Sequence, residues 1–167
     1  MPSRIIRSHR GAKVLKDCLT SLMAMEAVQP SEEIYFISPW MTNSPVIDNS
    51  CNNFSALFPF SDSRILYLAD ILLTFSWAGS KVRLISNLDD SRTADFLKIL
   101  GDKVECRMLE NNHEKGMVTA NFYLHGSMNF TFSGININGE SIRITTERPE
   151  VNAAMLSVRE RWKEATA

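Results

Sequence analysis

The chain has 167 residues and an ordinary hydrophobic share of 44%, which suits one domain with one real core. Eighteen lysines and arginines stand against 19 aspartates and glutamates, so a body that holds nucleic acid by bulk positive charge is excluded. Three cysteines, odd in number, far apart and without a CxxC pair, argue against a disulfide framework or a zinc site and for reduced thiols in a cytosolic protein.

The charge is unevenly spread. Residues 1–16 carry Arg4, Arg7, Arg10, Lys13 and Lys16 and no acid, which leaves the remainder at −6. Residues 1–12 read as a basic arm on a mildly acidic body. It either tracks phosphates or is a solvated, partly frayed terminus, and both readings stay open. The opening MPSRIIRSHRGAK lacks an apolar core and a small-residue cleavage site, which argues against a signal peptide.

Val14, Leu15, Cys18, Leu19, Leu22 and Met23 recur at helical spacing and predict an amphipathic helix over about 13–28, stopped near Pro30. The continuous apolar run 34–37 predicts a buried strand that empties into Ser38, Pro39 and Trp40. Trp40 either stacks on a base or lines a cleft, although the core is the commoner fate of a tryptophan. Residues 41–63, with Asn43, Pro45, Asp48, Asn49, Asn52 and Pro59, read as a long loop after a strand C-terminus, where α/β proteins place sites. Turn chemistry accounts for Asp48 and Asn49 as well as a cleft would.

Ser61 or Asp62 is expected to cap a helix over about 64–78, apolar nearly all round and ended by Gly79. The apolar stretch 65–78 is too short to span a bilayer and contains Asp70. A strand at 82–86, a helix opened by Asp90 or Ser91 and closed by Gly101, and a strand at 104–108 follow. Cys106 on that strand reads as a core residue, and Asp89 with Asp90 reads as a helix N-terminus rather than a metal site. The alternation predicts a layered α/β domain with a mixed, mostly parallel central sheet and helices on both faces. No P-loop, GxGxxG or HExxH is present.

The most informative stretch is HEKGMVTANFYLHGSMNFT, residues 113–131. Gly116 to Thr119 and Phe122 to Leu124 have strand propensity, and Ala120 with Asn121 supplies a turn. Residues two apart on a strand share a face, so His113 projects with Lys115, and Ser127 with Asn129. Hairpin pairing would bring an imidazole, an ammonium, a hydroxyl and an amide to one end of the sheet. That set suits a phosphate: lysine neutralises charge, Ser and Asn donate hydrogen bonds, and a histidine attacks phosphorus. His125 shares the period of Ser127 but reads as a surface or edge residue rather than a second base, and His9 as solvated. A strand at 141–145 and a final helix beginning near Pro149, striped by Val151, Ala154, Met155, Val158 and Trp162, complete a single domain over 1–167.

His113, Lys115, Gly126, Ser127 and Asn129 resemble the His-x-Lys and Gly-Ser-x-Asn elements of the phospholipase D superfamily. Family nucleases place a Glu eleven residues after the motif Asn to hold the catalytic His, and Glu140 stands at that spacing. Two features depart from the pattern: position 120, where the motif Asp falls, is Ala, and the hairpin is one residue shorter. The missing Asp is read as serving the turn. The segments SPWMTNSPVIDN and HEKGMVTANFYLHGSMNFTFSGI are further similar to the phospholipase-D-like proteins of bacterial 7-deazaguanine DNA-modification clusters. The resemblance implies a phospholipase-D-like fold and a phosphodiesterase without metal or other cofactor. It implies a homodimer, because two His-x-Lys motifs share each site in the family and this chain has one. His113, Lys115, Asn129 and Glu140 would be catalytic, and Lys115, Ser127 and Asn129 would bind phosphate. Trp40 and Gly126 would line the cleft. Expected partners are DNA, a second copy and other proteins of a modification and restriction cluster, with no membrane and a cytoplasmic location. The alternative is an inactive DNA-binding or assembly subunit, and less so a phospholipase.

Overall fold

The computed structural model describes residues 3–10 and 13–167. Residues 1–2 and 11–12 of the expected basic arm lie outside the described residues. The order is β1 (Arg4–Arg7), α1 (Val14–Val28), β2 (Glu33–Ile37), β3 (Pro45–Asp48), β4 (Ile65–Tyr67), α2 (Leu68–Trp77), β5 (Lys81–Ile85), α3 (Ser91–Leu100), β6 (Glu105–Arg107), β7 (Gly116–Val118), β8 (Tyr123–Gly126), α4 (Phe132–Asn136), β9 (Ser141–Thr145) and α5 (Arg148–Glu164). Seven strands form one sheet in the order β1-β9-β8-β7-β2-β5-β6, and β3 pairs with β4 in a small second sheet.

The period-two pattern decides which face each strand side chain meets. Ile34 and Phe36 of β2, Leu84 of β5, Met117 of β7, Leu124 of β8 and Ile142 of β9 turn to one face. They bury against Leu15, Leu19 and Met23 of α1, Ile71 and Phe75 of α2, and Phe96 of α3. Tyr35, Ile37, Ile85 and Val118 turn to the other face, under Val158 and Trp162 of α5. β2 is thus covered on both sides, which is why its sequence is apolar without alternation. Helices lie on both faces of a mixed sheet, as expected. The parallel character is narrower than expected: only β2-β5 and β5-β6 are parallel, while β2-β7, β7-β8, β8-β9 and β1-β9 are antiparallel. The βαβ alternation that signals parallel pairing ends at β6, and β7, β8 and β9 then add to the sheet antiparallel.

Two elements differ from the sequence reading. Residues 4–7 of the basic arm form an edge strand on β9, with Ile6 turned towards the core and Arg4 and Arg7 exposed. The 41–63 loop contains β3, and residues 65–67 leave the expected helix to pair with it. Leu66 is buried there while Ile65 and Tyr67 are exposed, a period of two that the flanking helical pattern obscured. Helix α2 therefore starts later, and its cap is not Ser61 or Asp62. Asp70 accepts from Tyr67 N at 2.8 Å, and Asn43 Oδ1 from Ala69 N at 3.0 Å. Asp90 does cap α3, accepting from Thr93 N at 3.1 Å.

Cys18, Cys51 and Cys106 are free thiols, and burial pushes Cys18 up to about 11 and Cys106 up to about 12, so both stay protonated. Among the described residues, no helix is long and apolar enough to cross a membrane.

Candidate active site

The β7-β8 hairpin aligns Gly116 with His125 and Val118 with Tyr123. Gly126 N donates to Lys115 O at 3.2 Å, which extends the ladder one step past the named strands. His113 and Lys115 therefore enter the hairpin at the end where Gly126, Ser127 and Asn129 leave it. The expected convergence of the two motif halves follows from this register.

Alternation fixes the second half. Met128 and Phe130 are buried at 1% and 0% exposure, so Ser127 and Asn129 are turned outwards. Phe130 meets Phe36 of β2 edge to face, with centroids 5.1 Å apart, a contact worth about 1 kcal/mol beyond its area. Ser38, fully buried at the end of β2, accepts from Phe130 N at 3.2 Å, donates to Trp40 O at 2.7 Å and lies 3.4 Å from Asn129 Oδ1. The middle residues of the motif are thus core anchors, and Ser38, which the sequence reading did not single out, ties them to the Trp40 loop. Gly126 is required by close approach: a Cβ there would stand 2.1 Å from Ser141 O on β9. Gly134 plays the same part in α4, where a Cβ would stand 2.2 Å from Asn129 O.

The first half is more exposed. His113 is exposed and its imidazole makes no hydrogen bond among the described residues, while Lys115 folds back so that Nζ donates to His113 O at 2.8 Å. The residue between them points the other way. Glu114 forms an ion pair with Arg161 of α5, and its backbone N donates to Asn112 Oδ1 at 3.2 Å. This anchor was also missed, although its signal was present: the x of His-x-Lys alternates away from the site and towards a helix with basic residues in its last turn.

Glu140 differs from expectation. Its carboxylate accepts from Ser127 Oγ and, at 3.3 Å, from Asn138 Nδ2, and among the described residues no hydrogen bond joins it to His113. The sheet explains this. Glu140 directly precedes β9, β9 pairs with β8, and Ser127 N donates to Ser141 O at 2.9 Å, so the first side chain within reach is Ser127. His113 precedes β7, one strand further on, with β8 between.

The basic strand also borders this end. Ser8 N donates to Glu140 O at 2.8 Å and Glu140 N donates to Ser8 Oγ at 3.0 Å, and Ser8 is buried between exposed Arg7 and exposed His9 and Arg10. Arg7 stands opposite Ser141 in the register. His125 is half-buried, stacks on Tyr123 with centroids 4.6 Å apart and shares a 130 Å³ recess with Lys115. Burial, and then the Arg143 guanidinium, pull its pKa below the usual histidine value. It lies on an interior strand, not at an edge.

Position 120, where the motif Asp is replaced by Ala, lies in the hairpin turn at the far end of β7 from Lys115. Ala120 N donates to Ser31 Oγ at 3.0 Å, and Arg148 Nη1 donates to Ala120 O at 3.2 Å. Trp40 is 42% exposed, not a core residue, and lines a cavity of about 370 Å³ beside His113. Among the described residues, no group of three or more His, Cys, Asp or Glu side chains stands where it could hold a metal ion. Asp48 and Asn49 serve turns, accepting from Ser50 N and Phe54 N at 2.9 Å each.

No protein-family model matches the chain, and no curated protein matches it in sequence. Its fold is that of several solved structures. NucT from Helicobacter pylori superposes with a TM-score of 0.67 at 11% identity, covering 99% of this chain and 98% of that one. Nuc from Salmonella typhimurium, a phospholipase D family member, does so with a TM-score of 0.62 at 14% identity, covering 98% and 95%. Phosphatidylserine synthase from Haemophilus influenzae Rd KW20 gives 0.58 at 10% identity over 99% of this chain and 39% of that one. At such identities the likeness establishes the fold, a phospholipase-D-like α/β architecture.

Proposed function

We propose that this protein is a metal-independent phosphodiesterase that cleaves DNA through a phosphohistidine intermediate in a site shared by two copies. The observation that carries the reading is the hairpin register, which sets His113 and Lys115 beside Ser127 and Asn129 at one end of the sheet. The chain is near in length to Nuc and NucT, of which it covers 95% and 98%, and its motif occurs once. A second His113 therefore comes from a second copy across a two-fold axis.

His113 of one copy attacks phosphorus: an N–P bond forms, a P–O bond breaks, and the leaving oxygen takes its proton from His113 of the other copy. That second imidazole, now neutral, removes a proton from water. The water oxygen displaces the histidine, breaking the N–P bond. Lys115 and Asn129 stabilise the charge on the non-bridging oxygens, and Ser127 joins them once its single hydroxyl proton turns from Glu140 to the phosphate. Glu140 acts as a positioning residue through Ser127, whose hydroxyl it holds. Exposed Arg7 and Arg10, beside Glu140, favour a polyanion over a compact lipid headgroup. The likeness of residues 38–49 and 113–135 to DNA-modification proteins supports service in a modification and restriction system, with other proteins of that system as partners.

A second reading, a DNA-binding or assembly subunit without turnover, is favoured by one observation: among the described residues the His113 imidazole has no orienting partner. One experiment separates the two. Single-turnover cleavage of labelled DNA in EDTA is expected to proceed and to trap phosphate on the wild-type protein, but not on His113→Ala. Light scattering is expected to give a dimer for both. Loss of cleavage in EDTA with rescue by magnesium, or a monomer with and without DNA, overturns the shared-histidine mechanism.

A further inference from the structure

We propose that the cavity beside His113 receives one unpaired nucleobase of the strand whose phosphate lies at Lys115. The inference deepens the reading above and rests on it for the position of the phosphate. The cavity opens at the C-terminal ends of the three parallel strands: residues 38–40 follow β2, residues 86–89 follow β5, and residues 108–113 follow β6. Open α/β sheets bind ligands at that edge, because the loops diverge there and leave a crevice. Its volume, about 370 Å³, is at the lower end of the range for small-molecule sites.

The lining has the chemistry of a base edge and a base face. Trp40 offers a half-exposed ring on the wall. Asn87 Oδ1 accepts from Asp89 N at 3.0 Å and Asn112 Oδ1 from Glu114 N at 3.2 Å, so both amides spend their oxygens on their own loops and keep their NH₂ groups. Asn112 Nδ2 is buried and has no hydrogen-bond partner among the described residues, a costly state that an external acceptor relieves. Ring nitrogens and carbonyl oxygens of a base are such acceptors. Asp89 does not cap α3, a task left to Asp90, and its carboxylate can accept from an exocyclic amino group. Asp89 and Glu110 on the same wall disfavour a second phosphate. A quaternary ammonium headgroup would satisfy Trp40 and the carboxylates but leave Asn112 Nδ2 unpaired. His113 sits on the rim, so a base in the cavity and a phosphate at Lys115 belong to one short stretch of strand.

The test is equilibrium binding of the full chain to single-stranded oligonucleotides carrying one abasic residue, stepped through each position. At one position the abasic residue is expected to weaken binding about tenfold. The same abasic step is expected to cost nothing further in Trp40→Ala and to cost its full amount in Trp40→Phe, which keeps the stacking ring and reports on folding. Asn112→Ala is expected to weaken the intact strand but not the abasic one. Inability to find such a position, an equal abasic penalty in Trp40→Ala, or phosphocholine displacing DNA from the wild type overturns the proposal. If the Trp40-dependent position is found but no cleavage occurs, the base site stands and the phosphodiesterase reading falls. If cleavage occurs without such a position, the reverse holds.

Discussion

At one end of the β7-β8 hairpin a buried carboxylate ties the turn into the core, and at the other the His113 imidazole stands exposed and Lys115 meets a single backbone carbonyl. Glu26 of α1 is fully buried and accepts from Ser31 N at 2.6 Å and Asn121 Nδ2 at 2.9 Å. Asn121 also donates to Gln29 O at 2.8 Å, and Arg148 and Ser31 hold the backbone of Ala120. At the open end, among the described residues, His113 makes no side-chain hydrogen bond and Lys115 reaches only a backbone carbonyl. The difference teaches a division of labour. The fold leaves the His113 imidazole open to meet a phosphate, and the hairpin is held in register from its far end. The missing motif Asp falls at that far end, which fits a part in the turn and not in the chemistry.

Substitutions can break this comparison. The largest effect is expected from His113→Ala: single-turnover cleavage should fall on the order of a thousandfold or more, about 4 kcal/mol of transition-state stabilisation. Its unfolding free energy in urea should stay within about 0.5 kcal/mol of wild type, because the side chain is exposed and has no hydrogen-bond partner to lose among the described residues. A large stability loss would mean that the open end is structural after all.

Glu26→Ala should behave in the opposite sense. It strips two donors of their buried acceptor and should cost about 3 kcal/mol of stability by chemical denaturation. At temperatures where the variant is folded, turnover should stay within a few-fold of wild type. A variant as stable as wild type would show that the turn needs no anchor.

Glu140→Gln probes the one carboxylate at the open end. With Ser127 as its partner, the loss in turnover should be about tenfold, near 1.4 kcal/mol, and non-additive with Ser127→Ala in a double-mutant cycle. A hundredfold loss, additive with Ser127→Ala, would show that the carboxylate reaches His113 in the reacting complex.

Ala120→Asp should have the smallest effect. It restores the residue of the family pattern at an exposed turn beside Arg148, and should change stability by less than about 0.5 kcal/mol and turnover by less than about twofold. A tenfold gain in turnover would move that position from the turn into the chemistry.

Several elements were legible because their signals are local. The β9 range matched its alternation, α1 and α3 matched their apolar stripes, and the hairpin followed from a turn between two short runs of strand propensity. The burial of Met128 and Phe130 turned Ser127 and Asn129 outwards, as period two requires. What was not legible depends on contacts far apart in sequence. Ile65, Leu66 and Tyr67 looked helical because the residues after them are, and only pairing with β3 makes them a strand. Arg4, Ile5, Ile6 and Arg7 looked like a charged arm because β9, some 130 residues away in sequence, supplies their ladder.

By itself the sequence determined the α/β class, the helix stripes, the strand that is buried on both faces and the motif residues that gather at one hairpin end. Each of these rests on neighbours within about one turn or one strand, where side-chain period and turn chemistry act directly. Tertiary structure alone decided that most of the sheet is antiparallel and that Trp40 borders a cavity instead of the core. It alone decided that Asp89 faces that cavity and that Glu140 meets Ser127 before His113. Which side chain a carboxylate reaches is set by which strand lies next to its own, and strand order is a property of the whole sheet that no local window contains.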